Sequence, residues 1–201
     1  LDGLHEDLSR VPGKKPQVNP EDPTLSSWPP IQQSEYAAER YKARFNSYVI
    51  DTFAGQLRST LKCTICNHES LTFDPFWDLS VPIPGTGGRA GMGGAAMGYV
   101  GGRTSLLSMR GSGGAASGAS SSACSIYDCL SEFAKEEVLD GDEKPTCAKC
   151  KTRRRCSKRL SVQRLPQILV LHIKRFNNRS KINTNVSFPF DNFSLVDYLD
   201  P

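Results

Sequence analysis

Cys63-Thr64-Ile65-Cys66 and Cys147-Ala148-Lys149-Cys150 decide how this chain is read. Two residues between thiols let one tight turn aim both sulfurs at a single point. Two such turns brought together place four thiolates in a tetrahedron, the donor set of a structural Zn²⁺. Cys63, Cys66, Cys147 and Cys150 are therefore the candidate metal ligands. The competing reading, buried free cysteines that pack as small hydrophobes, leaves the paired spacing unexplained. Working outward, Gln56-Leu57-Arg58-Ser59-Thr60-Leu61-Lys62 reads as a strand into the first pair and Ser70-Leu71-Thr72-Phe73-Asp74-Pro75-Phe76 as a strand out of it. Cys66-Asn67-His68 turns between them, which is the hairpin form of a zinc ribbon.

The gap between the two pairs contains the sharpest change of composition. Thirteen of the seventeen glycines fall in residues 85–123, together with all three methionines. Such a stretch buries too little apolar surface to offset its ordering entropy, so 85–123 is expected to be a disordered Gly/Ala/Ser insertion. Because closure entropy grows slowly with loop length, both cysteine pairs can still meet across it.

The chain has 201 residues, enough for one core or for part of a larger domain. It begins without Met and stops after Leu199-Asp200-Pro201, which reads as an internal piece of a longer protein. No run of about 18 apolar residues occurs, so no membrane span is expected. Seven cysteines is an odd count and the paired motif claims four. A reducing, intracellular setting in the cytoplasm or nucleus follows better than a secreted disulfide framework. Cys124, Cys129 and Cys156 are left as packed or free thiols. A net charge of +4 does not by itself argue for nucleic acid.

Leu1, Leu4 and Leu8 form one stripe of a helix end, with His5 on its surface. Six prolines between Val11 and Pro30 make 11–33 a surface loop. Ser34 can cap a helix to about Phe45, and a short helix through Ile50 and Phe53 follows. Ser125-Ile126-Tyr127-Asp128 opens a helix with a capping-box start whose buried stripe is Ile126, Cys129, Leu130 and Phe133. Residues 151–164 read as a charged strand, and 167–176 as a near-continuous apolar strand covered on both faces. His172, inside that run, reads as a packed core histidine. Residues 183–190 suggest one more strand and 194–199 the start of a helix.

Several blocks in this order resemble the middle of the catalytic domain of the ubiquitin-specific proteases, the papain-like cysteine deubiquitinases. Leu1-Asp2-Gly3-Leu4-His5-Glu6-Asp7-Leu8 is similar to the segment after the family's Cys and Gln boxes. Phe73-Asp74-Pro75-Phe76-Trp77-Asp78-Leu79-Ser80, residues 138–147 and Leu169-Val170-Leu171-His172-Ile173-Lys174-Arg175-Phe176 resemble later blocks. The resemblance implies an α+β papain-like fold described as a hand. Its antiparallel fingers sheet, here 56–82 and 140–164, carries a zinc-ribbon tip, and 165–201 supply strands of the palm. It implies ubiquitin and ubiquitinated proteins as partners, with the fingers cradling the body of ubiquitin. The activity implied is thiol-dependent hydrolysis after ubiquitin's C-terminal glycine.

The family's nucleophilic Cys would precede Leu1 and its His would follow Pro201, so this piece alone is expected to be inactive and no catalytic residue is assigned within it. Of the histidines present, His68 on the knuckle is superfluous beside four cysteines. A non-catalytic ubiquitin-binding pseudo-enzyme is one alternative. A nucleic-acid-binding zinc ribbon is another, suggested by the basic run from Lys149 to Arg159, but that run lacks interleaved aromatics for base stacking and reads as a charged strand edge.

Overall fold

Strand β1 (Gly55–Cys63) is buried at its base, Gly55 to Leu57, and again at Cys63, with a partly exposed polar middle. The computed structural model describes residues 1–11, 13, 16–17, 22–85, 124–176 and 180–199. The expected insertion at 85–123 lies, apart from Gly85, outside them. Strand β1 pairs antiparallel with β2 (Glu69–Phe76) on one side and with β6 (Cys156–Arg164) on the other. Strand β5 (Glu137–Leu139) adds to β6, giving a four-stranded antiparallel sheet in the order β2-β1-β6-β5. Its two middle strands come from opposite sides of the glycine-rich stretch.

Gly55 opens β1 where nothing larger fits. A Cβ there would run into Phe76 Cζ and lie 2.6 Å from Phe76 Cε1 and 2.8 Å from the Arg164 carbonyl oxygen. At this base the sheet meets two parallel pairs, β3 (Leu79–Pro82) with β7 (Leu171–Lys174) and β4 (Cys124–Ser125) with β8 (Val186–Ser187). Helix α4 (Ile126–Phe133) lies against them and completes the core of Leu57, Phe76, Leu79, Val81, Ile126, Leu130, Phe133 and Val162. Its start is a full capping box. Asp128 N–H donates to Ser125 Oγ at 3.1 Å, and Ser125 N–H donates to Asp128 Oδ2 at 2.8 Å. The stripe Ile126, Cys129, Leu130 and Phe133 is buried as its spacing requires. The α+β organisation with an antiparallel sheet stands as expected.

Other local expectations are corrected. Helix α1 (Asp2–Asp7) turns its leucines outward, Leu1, Leu4 and Leu8 being about half exposed, and buries His5 instead. His5 Nδ1 lies 2.7 Å from Ser47 Oγ, and its ring packs between Phe45 and Trp77. Helix α2 (Pro30–Arg44) starts four residues before Ser34, because Pro30 has the φ of a first helical residue and no N–H to satisfy. Ser34 sits inside the helix, fully buried, donating to Gln56 Oε1 at 2.6 Å and so tying α2 to β1. Helix α3 (Tyr48–Phe53) follows, capped by Ser47.

Of the 151–164 strand only Cys156–Arg164 is extended, since the preceding residues belong to the second knuckle. The apolar run 167–176 forms a strand only over Leu171–Lys174, paired on one edge to β3. Ile168 N–H is drawn aside to the Thr52 carbonyl at 2.9 Å. His172 is exposed there, 3.1 Å from Ser80 Oγ, and is not a core residue. Residues 183–190 supply only the two-residue β8, and 194–199 a single 3₁₀ turn at Val196–Tyr198. Among the described residues no helix is long and apolar enough to cross a membrane.

Candidate metal centre

The two Cys-x-x-Cys turns are built alike. In the first, Cys63 N–H donates to the His68 carbonyl at 3.0 Å and Asn67 N–H to the Cys63 carbonyl at 2.9 Å. In the second, Cys147 N–H donates to the Thr152 carbonyl at 3.0 Å and Lys151 N–H to the Cys147 carbonyl at 2.8 Å. The residue after each second cysteine is left-handed, Asn67 at φ 54° and Lys151 at φ 56°. Asn adopts that region readily, whereas Lys does so only where the turn imposes it. The first knuckle caps the β1–β2 hairpin and the second lies between β5 and β6.

The sheet register brings them together. Cys63 is paired with Cys156 at the end of the β1–β6 ladder. Beyond it, Thr64 clasps the Arg155 carbonyl with both its N–H, at 3.1 Å, and its hydroxyl, at 2.9 Å. Arg153 donates to the Lys144 carbonyl at 2.9 Å and to the Asp142 carbonyl, bracing the second knuckle from outside. Part of the basic run thus holds the tip together. These bracing contacts were not foreseen from the sequence, where Thr64 and Arg153 carry no local signal of their long-range partners.

Cys63, Cys66, Cys147 and Cys150 end with their sulfurs all within 4.8 Å of one another. The Cys66 and Cys147 sulfurs are 3.6 Å apart, against ~3.8 Å for two thiolates on one tetrahedral zinc with Zn–S of about 2.3 Å. Cys63 and Cys147 are buried, Cys66 and Cys150 half-buried. Four cysteines this close can hold a metal ion.

The electrostatics lean the same way. Backbone N–H groups of Cys66 and then Ile65 pull the Cys63 thiol down to about 6. Those of Cys150 and Lys149 lower Cys147, the former more. The neighbouring Cys66 sulfur, then burial, push Cys150 up to about 12. The turns favour thiolate at two positions, while crowding resists further negative charge until a cation compensates it. Cys156 stands beside the cluster as a fifth thiol, raised mainly by burial. Cys129 lies in the main core with Cys124 against it, in a cluster that contains none of the four knuckle cysteines. His68 contributes its carbonyl to the first knuckle.

Residues 1–201 match the family model described as ubiquitin carboxyl-terminal hydrolase. Ubiquitin carboxyl-terminal hydrolase 2 of Gallus gallus is 41% identical over 202 residues, covering 98% of this chain and 46% of that protein. The Homo sapiens protein of the same name is 39% identical, covering 98% of this chain and 27% of that protein. Ubiquitin carboxyl-terminal hydrolase 21 of Rattus norvegicus is 37% identical over 164 residues, or 80% of this chain and 24% of that protein. The chain therefore spans less than half the length of these relatives. A match along the whole chain, with the antiparallel sheet and its cysteine-tipped end, places this chain in the ubiquitin carboxyl-terminal hydrolase family of cysteine-type deubiquitinases.

Proposed function

We propose that this chain is the ubiquitin-binding, zinc-bearing segment of a thiol-dependent deubiquitinase. The parent protein would hydrolyse bonds after the C-terminal glycine of ubiquitin and act on ubiquitinated proteins. The observation that carries this reading is the family match over residues 1–201. The sheet β2-β1-β6-β5 is the surface offered to the globular body of ubiquitin.

Cys63, Cys66, Cys147 and Cys150 would hold a structural Zn²⁺, which fits the sulfur separations and the two lowered thiols. When bound, the ion cross-links the two knuckles. Four thiolates complete a tetrahedron and leave no open position for substrate, so the role is structural.

In this reading the nucleophile and its histidine come from outside these residues. Support comes from where the chain's own histidines are engaged. His5 pairs with Ser47, His172 with Ser80, and the His68 carbonyl is tied into the knuckle. The segment alone is inactive, and the parent works in the reducing cytoplasm or nucleus, where seven free cysteines persist.

The test mixes the full-length protein, and separately this 201-residue chain, with ubiquitin carrying a C-terminal electrophile. A covalent adduct on the full-length protein alone supports the reading. An adduct on the 201-residue chain contradicts the assignment of the nucleophile. No adduct on zinc-loaded full-length protein that still binds ubiquitin identifies a pseudo-enzyme.

A further inference from the structure

Helix α4 begins with two devices stacked on each other. Ser125 is the N-cap and Asp128 closes the capping box. The residue before the cap is Cys124 and the fourth helical residue is Cys129. These are the two positions whose side chains usually touch as a hydrophobic staple, fixing the angle at which the chain enters a helix. Here the staple is sulfur on sulfur, with Cys124 Sγ and Cys129 Sγ 3.7 Å apart. Cys129 is fully buried in the main core, while Cys124 is half-buried and packs on that core from its rim. Strand β4, which carries Cys124, is held by β8, and Ser187 Oγ donates to the Cys124 carbonyl at 3.3 Å.

We propose that Cys124 and Cys129 are a redox site at which a peroxide converts the staple at the start of α4 into a disulfide. A disulfide needs the sulfurs about 2.0 Å apart. Closing the 3.7 Å gap between the sulfurs requires the two side chains to rotate toward each other. The half-buried Cys124 meets the oxidant. Its sulfur attacks the O–O bond, forming an S–O bond, and the departing hydroxide is protonated to water. The Cys129 sulfur then attacks the Cys124 sulfur. The S–S bond forms, the S–O bond breaks, and oxygen leaves as a second water with the Cys129 proton. Two thiols are oxidised and one peroxide is reduced. Burial, and then the adjoining Cys124, hold the Cys129 thiol up to about 12, so Cys129 is not the first of the pair to react with the oxidant.

This pair is separate from the metal-ligand set and does not depend on the deubiquitinase reading. Its effect is on order. The link closes a six-residue ring around the cap, fastening the half-buried Cys124 to the core.

The test exposes the full chain, with excess zinc, to hydrogen peroxide, blocks free thiols with N-ethylmaleimide and digests with trypsin. Cleavage after Arg110 and Lys135 releases one peptide, residues 111–135, containing Cys124 and Cys129 and no other cysteine. The expected result is a peptide lighter by two hydrogens that takes up no maleimide until reduced. The thermal midpoint of the oxidised chain rises by roughly 4–8 °C and returns on reduction. Cys124→Val keeps an apolar staple and removes both responses. Sulfinic acid at Cys124 with Cys129 still alkylated overturns the proposal. So does a disulfide that leaves the midpoint unmoved, since no lock has then formed.

Discussion

Replacing Gly55 by alanine adds one methyl group at the junction of sheet and core. Its Cβ would run into Phe76 Cζ and stand 2.6 Å from Phe76 Cε1 and 2.8 Å from the Arg164 carbonyl oxygen, where ordinary contacts begin near 3.4 Å. The two neighbours yield differently. Phe76 is 3% exposed and wedged in the core, so its ring moves only by displacing others. The Arg164 carbonyl belongs to the β1–β6 ladder, which already shifts register between Gln56 and Leu57. Inserting a methyl into a site this tight costs about 1–3 kcal/mol. For a domain of this size that lowers the thermal midpoint by roughly 2–4 °C per kcal/mol, so a fall of about 2–12 °C is expected.

A double-mutant cycle separates the causes. Phe76→Leu shortens the side chain that faces the new methyl, so Gly55→Ala should cost at least about 0.5 kcal/mol less in that background. The residual cost reports the carbonyl clash. Chemical denaturation of the four proteins, with zinc present, gives the numbers. A Gly55→Ala chain within about 0.5 kcal/mol of its parent, or a strictly additive cycle, would refute the close-packing argument.

Three further outcomes are expected. Ser125→Ala removes the oxygen that accepts Asp128 N–H and should cost about 1 kcal/mol in urea denaturation; no change would mean water replaces the cap without loss. Cys147→Ser, or chelation of the parent, should lower the thermal midpoint and expose backbone amides of β1, β2 and β6 to hydrogen exchange; full metal removal with unaltered exchange contradicts a structural ion. The pH dependence follows from Cys63, held down at about 6. A depressed thiol favours the folded tip above its unfolded value, and that contribution is lost as pH falls through the folded one. Bound metal extends thiolate character further down, so zinc release followed with a colorimetric chelator should occur at or below about pH 6, and release above 7 would contradict the assignment.

The features legible in the sequence were those set by short-range chemistry. The Cys-x-x-Cys turns and the capping box at Ser125 and Asp128 each satisfy their own backbone within a few residues, so spacing suffices to find them. What misled was burial inferred from periodicity. Leu1, Leu4 and Leu8 have a helical stripe, but the aromatic surface waiting at Phe45 and Trp77 receives His5, whose ring packs there tilted and edge-on and whose nitrogen reaches the buried Ser47 hydroxyl. Helical spacing says which residues share a face, not which face finds a partner. The run 167–176 failed for a related reason. Its apolar content suits a covered strand, yet Ile168 bonds to Thr52 and only four residues join β3. Ser34 was misplaced because a polar residue mid-helix resembles a cap until its long-range partner, Gln56, is known.

The knuckles also have an order in time. Cys66 leaves the ribosome 84 residues before Cys150. At 5–20 residues per second, the first knuckle exists without the second for roughly 4 to 17 s. Throughout that interval the β1–β2 hairpin can form, but β1 lacks β6 and two thiols of the cluster lack their partners. A bidentate half-site grips a metal far less firmly than four thiolates do, so the finger tip is most open to oxidants and to the wrong metal while the chain is still being made.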